Sequence, residues 1–440
     1  MPSQQPRAFH AEYLVIDNEF GRVDGVLRLG PGGRSRAVVV QTHPRLSSDE
    51  NLVVWPMLDL PGRGIDTFAY NNRYANSTAG TEVITVWEDI GLDVAAVVAE
   101  MRRRGYDYVV LYGYSAGGPT VAYYQAVAER GNAIFNGGAA LSGFTGFFED
   151  GPGQRERRLP PADALIFQNP TTGTGASFLA RLDPSIVDES TGRRDPALDM
   201  FEPANGHDPA TGAARYSPGF LSRYYRAQGA RMDRLIAAAQ QRREDVAAGR
   251  GRFLDDDLIV IPGIRAEPAS VDLSLQSRTV AEWPLQPGGG RRVIHSDRAV
   301  VPHYFRRNRS FRDGGTVHTL RSFLSYRAVL VGPDGYNPDA VQLEDVGIVA
   351  ASTNNSTPTC LAAVSVPVLV TSATGDTQVH LPQAELACNA VASADRLLVG
   401  IQGGEHDMSP AGPGSGDPRA AHLEVLADWL GHRFPGGARA

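Results

Sequence analysis

Lysine is absent from this chain: all 42 basic residues are arginine. That excludes a Schiff base on lysine and a phosphate loop built around one. Cysteine is nearly absent. Cys360 and Cys388 leave room for one bridge and exclude a disulfide framework. No C-x-x-C or H-E-x-x-H occurs, and the histidines show no metal-ligand spacing, so no metal or organic cofactor is expected. No window approaches the roughly eighteen apolar residues of a membrane-spanning helix. Met1 to His10 has neither an apolar core nor a cleavage pattern, so a cytoplasmic protein is expected. Basic excess is missing too. A net charge of −7 and a pI near 5.8 argue against bulk binding to nucleic acid or an anionic membrane. Internal repeats and low-complexity tails are not seen. What remains, 440 residues of which 42% are hydrophobic, is enough for a large core and more than one structural unit.

The most informative stretch is Tyr108-Val-Val-Leu-Tyr-Gly-Tyr-Ser-Ala-Gly-Gly118. Its first five residues are aromatic or aliphatic and mostly strand-preferring. Gly113-Tyr-Ser-Ala-Gly117 matches G-x-S-x-G, and Thr120 to Glu129 reads as a helix. A strand, a sharp turn and a helix are what a nucleophile elbow requires. The turn pushes the Ser115 hydroxyl out of the sheet. Flanking glycines let backbone pass close without a Cβ clash. The helix N-terminus turns its N–H groups toward a developing oxyanion.

Strands and helices alternate around this stretch. Tyr13–Asp17 and Val23–Leu29 read as two short strands joined around Asn18-Glu-Phe-Gly21, followed by a hairpin whose turn, Gly30-Pro-Gly-Gly33, leads into Ala37–Gln41, a strand buried on both faces. Ile65–Asn71 is another inner strand, and Trp87–Arg104 an amphipathic helix ending at Gly105. Phe135–Leu141 reads as a further strand. The rhythm breaks after about Gly146, where Arg, Asp, Pro and Gly dominate and one long helix stands out, Phe220–Ala248. It returns with a strand at Ser365–Thr371, a helix at Leu381–Ala392, a strand at Arg396–Ile401 and a helix at Arg419–Arg433. Such alternation predicts an α/β protein with a mostly parallel, doubly wound sheet.

Reactive groups on such a sheet sit on loops after the strands. A serine nucleophile needs a histidine base, and the histidine needs a carboxylate. After the strand at 365–371 comes Ser372-Ala-Thr-Gly-Asp376. After the strand at 396–401 comes Gln402-Gly-Gly-Glu-His406. His380 precedes a helix and ranks below His406. Glu149 and Asp150, after the expected strand at 135–141, are the fallback acid.

With Ser115, Asp376 and His406 in that order, the chain resembles the α/β-hydrolase-fold superfamily of serine esterases and lipases. The resemblance covers roughly residues 10–145 and 360–435. It implies a sheet of about eight strands, Ser115 as nucleophile, Asp376 as orienting acid and His406 as base. It also implies an oxyanion hole from the Ala116 N–H and one near Arg45, because His43-Pro44 stands where many members carry His-Gly. Pro44 departs from that pattern and has no N–H to offer.

The expected organisation is a core at 8–148, a large, partly helical cap insertion at 149–358, and the rest of the core at 359–436. The separation of Ser115 and Asp376, 261 positions (376 − 115), requires such a structured insertion. The expected function is hydrolysis of a small-molecule carboxylic ester or lactone through an acyl-enzyme. The alternatives are acyl transfer, thioester or carbon–carbon hydrolysis by the same triad, or a non-catalytic binding protein on the same fold. His43 and Tyr114 beside the elbow, and Tyr224 and Tyr225 on the long helix, are candidate substrate contacts. A homo-oligomer is left open.

Overall fold

The computed structural model describes residues 10–43, 54–75, 81–210, 214–264, 266–271, 299–304, 314–376, 378–412 and 415–434. Eight strands form the main sheet: β1 (His10–Asn18), β2 (Gly21–Leu29), β3 (Ala37–Thr42), β4 (Asp66–Asn71), β5 (Tyr108–Tyr114), β6 (Ala164–Gln168), β7 (Val368–Ala373) and β8 (Arg396–Ile401). Their spatial order is β1-β2-β4-β3-β5-β6-β7-β8. β2 runs antiparallel to both its neighbours, and every other adjacent pair is parallel. The hairpin expected through Gly30–Gly33 is corrected: β4 lies between β2 and β3, and β2 forms its hairpin with β1 instead.

The aliphatic runs dictate this arrangement. β3, β4 and β7 are buried along their whole length, as strands covered on both faces must be. Alternate residues serve different layers. Val38 and Val40 join the cluster under α1 (Ile90–Arg103), α2 (Gly117–Arg130) and α4 (Leu381–Ala390). Val39 joins the cluster under the short helix Trp55–Asp59 and α5 (Pro418–Arg433). Cys360 and Cys388 are free, buried thiols in the first of these clusters, and burial pushes Cys360 up to about 12.

One expected strand is corrected. Phe135–Leu141 is not in the sheet, because residues 131–138 form a 3₁₀ segment with left-handed Asn136, Gly137 and Gly138. The Asn-Gly-Gly run favours a turn over extended chain, and Phe135 packs edge-on against Phe144 and Phe147. The sixth strand is Ala164–Gln168, paired with β5 and β7. It lies inside the stretch 149–358 expected to be cap. The sheet therefore runs on to Gln168 and, among the described residues, resumes only at Val368; 169–367 is the segment between.

That segment has a hydrophobic centre of its own. α3 (Pro218–Ala247) carries Tyr224, Gln228, Met232, Leu235, Ile236 and Ala239 on one buried face. Ser217 caps its first turn by accepting from Phe220 N–H at 3.1 Å, and Pro218 follows at the position that tolerates it. Leu386 of α4 belongs to the same cluster, so the insertion packs directly on the core. Among the described residues, no helix is long and apolar enough to cross a membrane.

Candidate active site

β5 ends at Tyr114, and α2 begins at Gly117. The two residues between make the turn. Ser115 has φ 55°, in the left-handed region that non-glycine residues seldom occupy. Neighbours on three sides hold it there. Its N–H donates to the Gln168 carbonyl at 2.9 Å, and its own carbonyl accepts from Gly118 N–H at 3.0 Å and Thr171 N–H at 3.2 Å. The motif glycines answer to close backbone. A Cβ at Gly117 would lie 2.1 Å from the Thr42 oxygen, and one at Gly113 would lie 2.7 Å from the Gly117 oxygen. Gly118 faces Pro170 in the same way, at 2.7 Å. The elbow is thus wedged between the ends of β3 and β6.

The other two triad candidates stand on the loops after β7 and β8. His406 Nδ1 is 2.6 Å from Asp376 Oδ2. The Asp376 side chain is fully enclosed, and its second oxygen accepts from Gln378 N–H at 2.7 Å and Val379 N–H at 3.0 Å. Three donors thus fix the position of this buried carboxylate. The two loops are also sewn together, by Gly375 N–H to the Gly404 carbonyl and Gly403 N–H to the Thr374 hydroxyl, each 2.9 Å. His380 stands at the position just before α4 instead. Glu149 and Asp150 are exposed, and the residues that follow the true sixth strand are Asn169 and Pro170, neither an acid.

Gln168, at the end of β6, bonds to both the Ser115 turn and the His406 loop. The Gln168 carbonyl accepts from Ser115 N–H, while its side-chain amide donates to the His406 carbonyl at 3.3 Å. The Tyr114 ring lies 5.0 Å from the His406 ring and 5.7 Å from that of His43. Tyr114 therefore stands between His406 and His43. Tyr224 is not available as a substrate contact. It is fully buried among Met200, Phe201, Tyr216 and Phe220 in the insertion, with Tyr225 packed edge-on against it. A Tyr ring placed on the apolar stripe of an amphipathic helix goes into that helix's own core. Ala116 is buried at the N-cap of α2, and Arg45 lies outside the described residues.

Gln168 and Asn169 are the site neighbours that the sequence reading passed over. Their one signal is a polar pair directly after the short apolar run Ala164-Leu-Ile-Phe167. Beneath the site, the Tyr112 hydroxyl donates to the Gln168 side-chain oxygen, and burial raises that phenol well above its usual range. Among the described residues, no three His, Cys, Asp or Glu side chains group as metal ligands.

An eight-stranded sheet in this order with β2 alone reversed, a left-handed serine turn between β5 and its helix, and a carboxylate–histidine pair after β7 and β8 define the α/β-hydrolase fold. The chain has that fold. Three solved structures stand beside it. The α/β hydrolase GrgF from a Penicillium species is 9% identical over 97% of this chain and 100% of that one, with a TM-score of 0.47. A soluble variant of monoglyceride lipase from Saccharomyces cerevisiae is 12% identical over 99% of each chain, at 0.44. The esterase domain of a Rhodothermus marinus protein is 12% identical over 97% and 100%, at 0.41. At such identities and scores these likenesses carry nothing about activity or substrate. No protein-family model matches the sequence, and no curated protein matches it.

Proposed function

We propose that the protein is a serine hydrolase of carboxylic esters, with Ser115 as nucleophile, His406 as general base and Asp376 as the acid that orients it. The observation that carries this reading is the 2.6 Å His406–Asp376 pair, taken with a serine held at a left-handed turn after β5. With the Nδ1 proton donated to Asp376, Nε2 is the free lone pair of the ring. Ser115 Oγ gives its proton to that nitrogen and attacks the ester carbonyl carbon. The carbonyl oxygen takes up the displaced electron pair, and the Ala116 N–H at the start of α2 stabilises it, with a second donor near Arg45. Collapse expels the alcohol, which leaves with the proton from His406. Water then attacks the acyl-enzyme, again losing its proton to His406, and the acid product and free Ser115 are released. The segment 169–367 serves as a cap over the strand ends, shaping the site and excluding water.

The test is turnover of a graded series of p-nitrophenyl esters, short-chain to long-chain. Wild type is expected to hydrolyse at least one member. Ser115→Ala is expected to lose about 10⁴-fold or more in kcat. Equal turnover by the two proteins would overturn the assignment.

A further inference from the structure

We propose that Asn169 is a positioning residue of this site, setting the height and angle of the His406 loop against the Asp376 loop. This rests on the Ser115–His406–Asp376 reading.

Asn169 follows β6 directly and is fully buried. Its backbone is left-handed, φ 45°, which asparagine tolerates better than most residues. A glycine would suffice for the turn alone. The side chain does something more. Its Nδ2 donates to the His406 carbonyl at 2.7 Å, and its Oδ1 accepts from Ala373 N–H at 2.7 Å. Its N–H donates to the Thr371 carbonyl at 2.9 Å. One amide therefore spans the last residue of β7, three positions before Asp376, and the base residue itself. An amide is the side chain that fits, because one end must accept and the other donate. A carboxylate would put an oxygen against the His406 carbonyl. The Gln168 amide reaches the same carbonyl at 3.3 Å, a longer bond that cannot also hold β7. Buried bonds of this kind fix loop geometry to fractions of an ångström, and displacement of a catalytic group by about 1 Å can cost 10²-fold in rate.

The experiment compares wild type with Asn169→Gly and Asn169→Asp. The glycine keeps the left-handed backbone and deletes both bonds. The aspartate keeps the acceptor for Ala373, loses the donor to His406 and sets a carboxylate oxygen against that carbonyl. Both are expected to lower kcat by about 10- to 100-fold with KM within about twofold. Labelling of Ser115 by a fluorophosphonate should slow in parallel. The downfield proton signal of the His406–Asp376 bond should weaken in Asn169→Gly. If either folded variant keeps wild-type kcat, labelling rate and downfield signal, Asn169 is structural only and the proposal fails. If both variants fail to fold by circular dichroism, Asn169 belongs to the core and the proposal fails in that way. A wild type that is never labelled would instead sink the triad reading, so the two failures are distinguishable.

Discussion

Asp376 offers one carboxylate oxygen to His406, at 2.6 Å, and gives the other to two backbone N–H groups of its own loop. The acid is thereby fixed from behind and cannot swing away from the imidazole. Asp376→Asn keeps the shape and removes the preference for the productive tautomer. We expect kcat for ester hydrolysis to fall by about 10⁴-fold with an unchanged circular dichroism spectrum. Near-full activity would move the acid elsewhere. Asn169-Pro170 after β6 supplies none, and Glu149 and Asp150 stand exposed outside the sheet.

Gly117 tests the elbow. A methyl there would meet the Thr42 carbonyl oxygen at 2.1 Å, and that oxygen belongs to β3, which cannot give way cheaply. Gly117→Ala is expected to destabilise the protein by about 1–3 kcal/mol or more and to slow Ser115 labelling. Gly412→Ala, where a Cβ meets nothing within 4 Å, is the control and should alter neither. Chemical denaturation read beside the labelling rate checks both. An unperturbed Gly117→Ala would mean the elbow is looser than described.

His422 predicts an acid-side loss of stability. It is fully buried on α5, bonded through Nε2 to the Thr371 hydroxyl at 3.0 Å, with Nδ1 lacking a partner. Burial pushes it down from 6.5 to about 3. The unfolded chain therefore takes up the proton first as pH falls. The stability tied to neutral His422 is fully present above about pH 6.5 and is lost progressively toward pH 3. Between pH 7.5 and pH 5 the loss should be about 2 kcal/mol. In His422→Asn the denaturation free energy should change less over that window by about this amount. A variant with the wild-type slope would assign the acid sensitivity to other groups.

Glu88 joins core to insertion. It is fully buried just before α1, where it accepts from Ser142 at 2.6 Å, Ser325 at 2.5 Å and Asn354 at 2.8 Å. Burial raises its carboxyl above the usual range, and the three bonds oppose that rise. Ser325 also accepts from Trp87 N–H, and the Trp87 ring stacks on Tyr326. Glu88→Ala leaves those three groups without the carboxylate, a loss of about 1–3 kcal/mol for each one left unsatisfied. Limited proteolysis should then cut faster within 320–356, and an unchanged digestion pattern would count against Glu88 as the joint.

Ser115, Asp376 and His406 stood out in the sequence because each follows an apolar strand by a few positions, and the structure pairs two of them, His406 and Asp376. The sixth strand did not stand out. Ala164–Gln168 is short and follows Pro160-Pro161 in an arginine-rich stretch, whereas Phe135–Leu141 looks extended until its Asn-Gly-Gly run is given weight. That misplacement hid Gln168 and Asn169. It also made Glu149 and Asp150 look like acids at a strand end. Hydrogen bonds to the backbone of a residue more than two hundred positions away leave no local pattern. Tyr224 misled for a simpler reason: helical periodicity says that a face is buried, and not against what.

The most direct measurement is intact-mass and peptide mapping after exposure to a fluorophosphonate. The proposed mechanism requires one adduct per chain, located on Ser115, formed by wild type and absent from Ser115→Ala. An unlabelled wild type, or an equal adduct on Ser115→Ala, would contradict it.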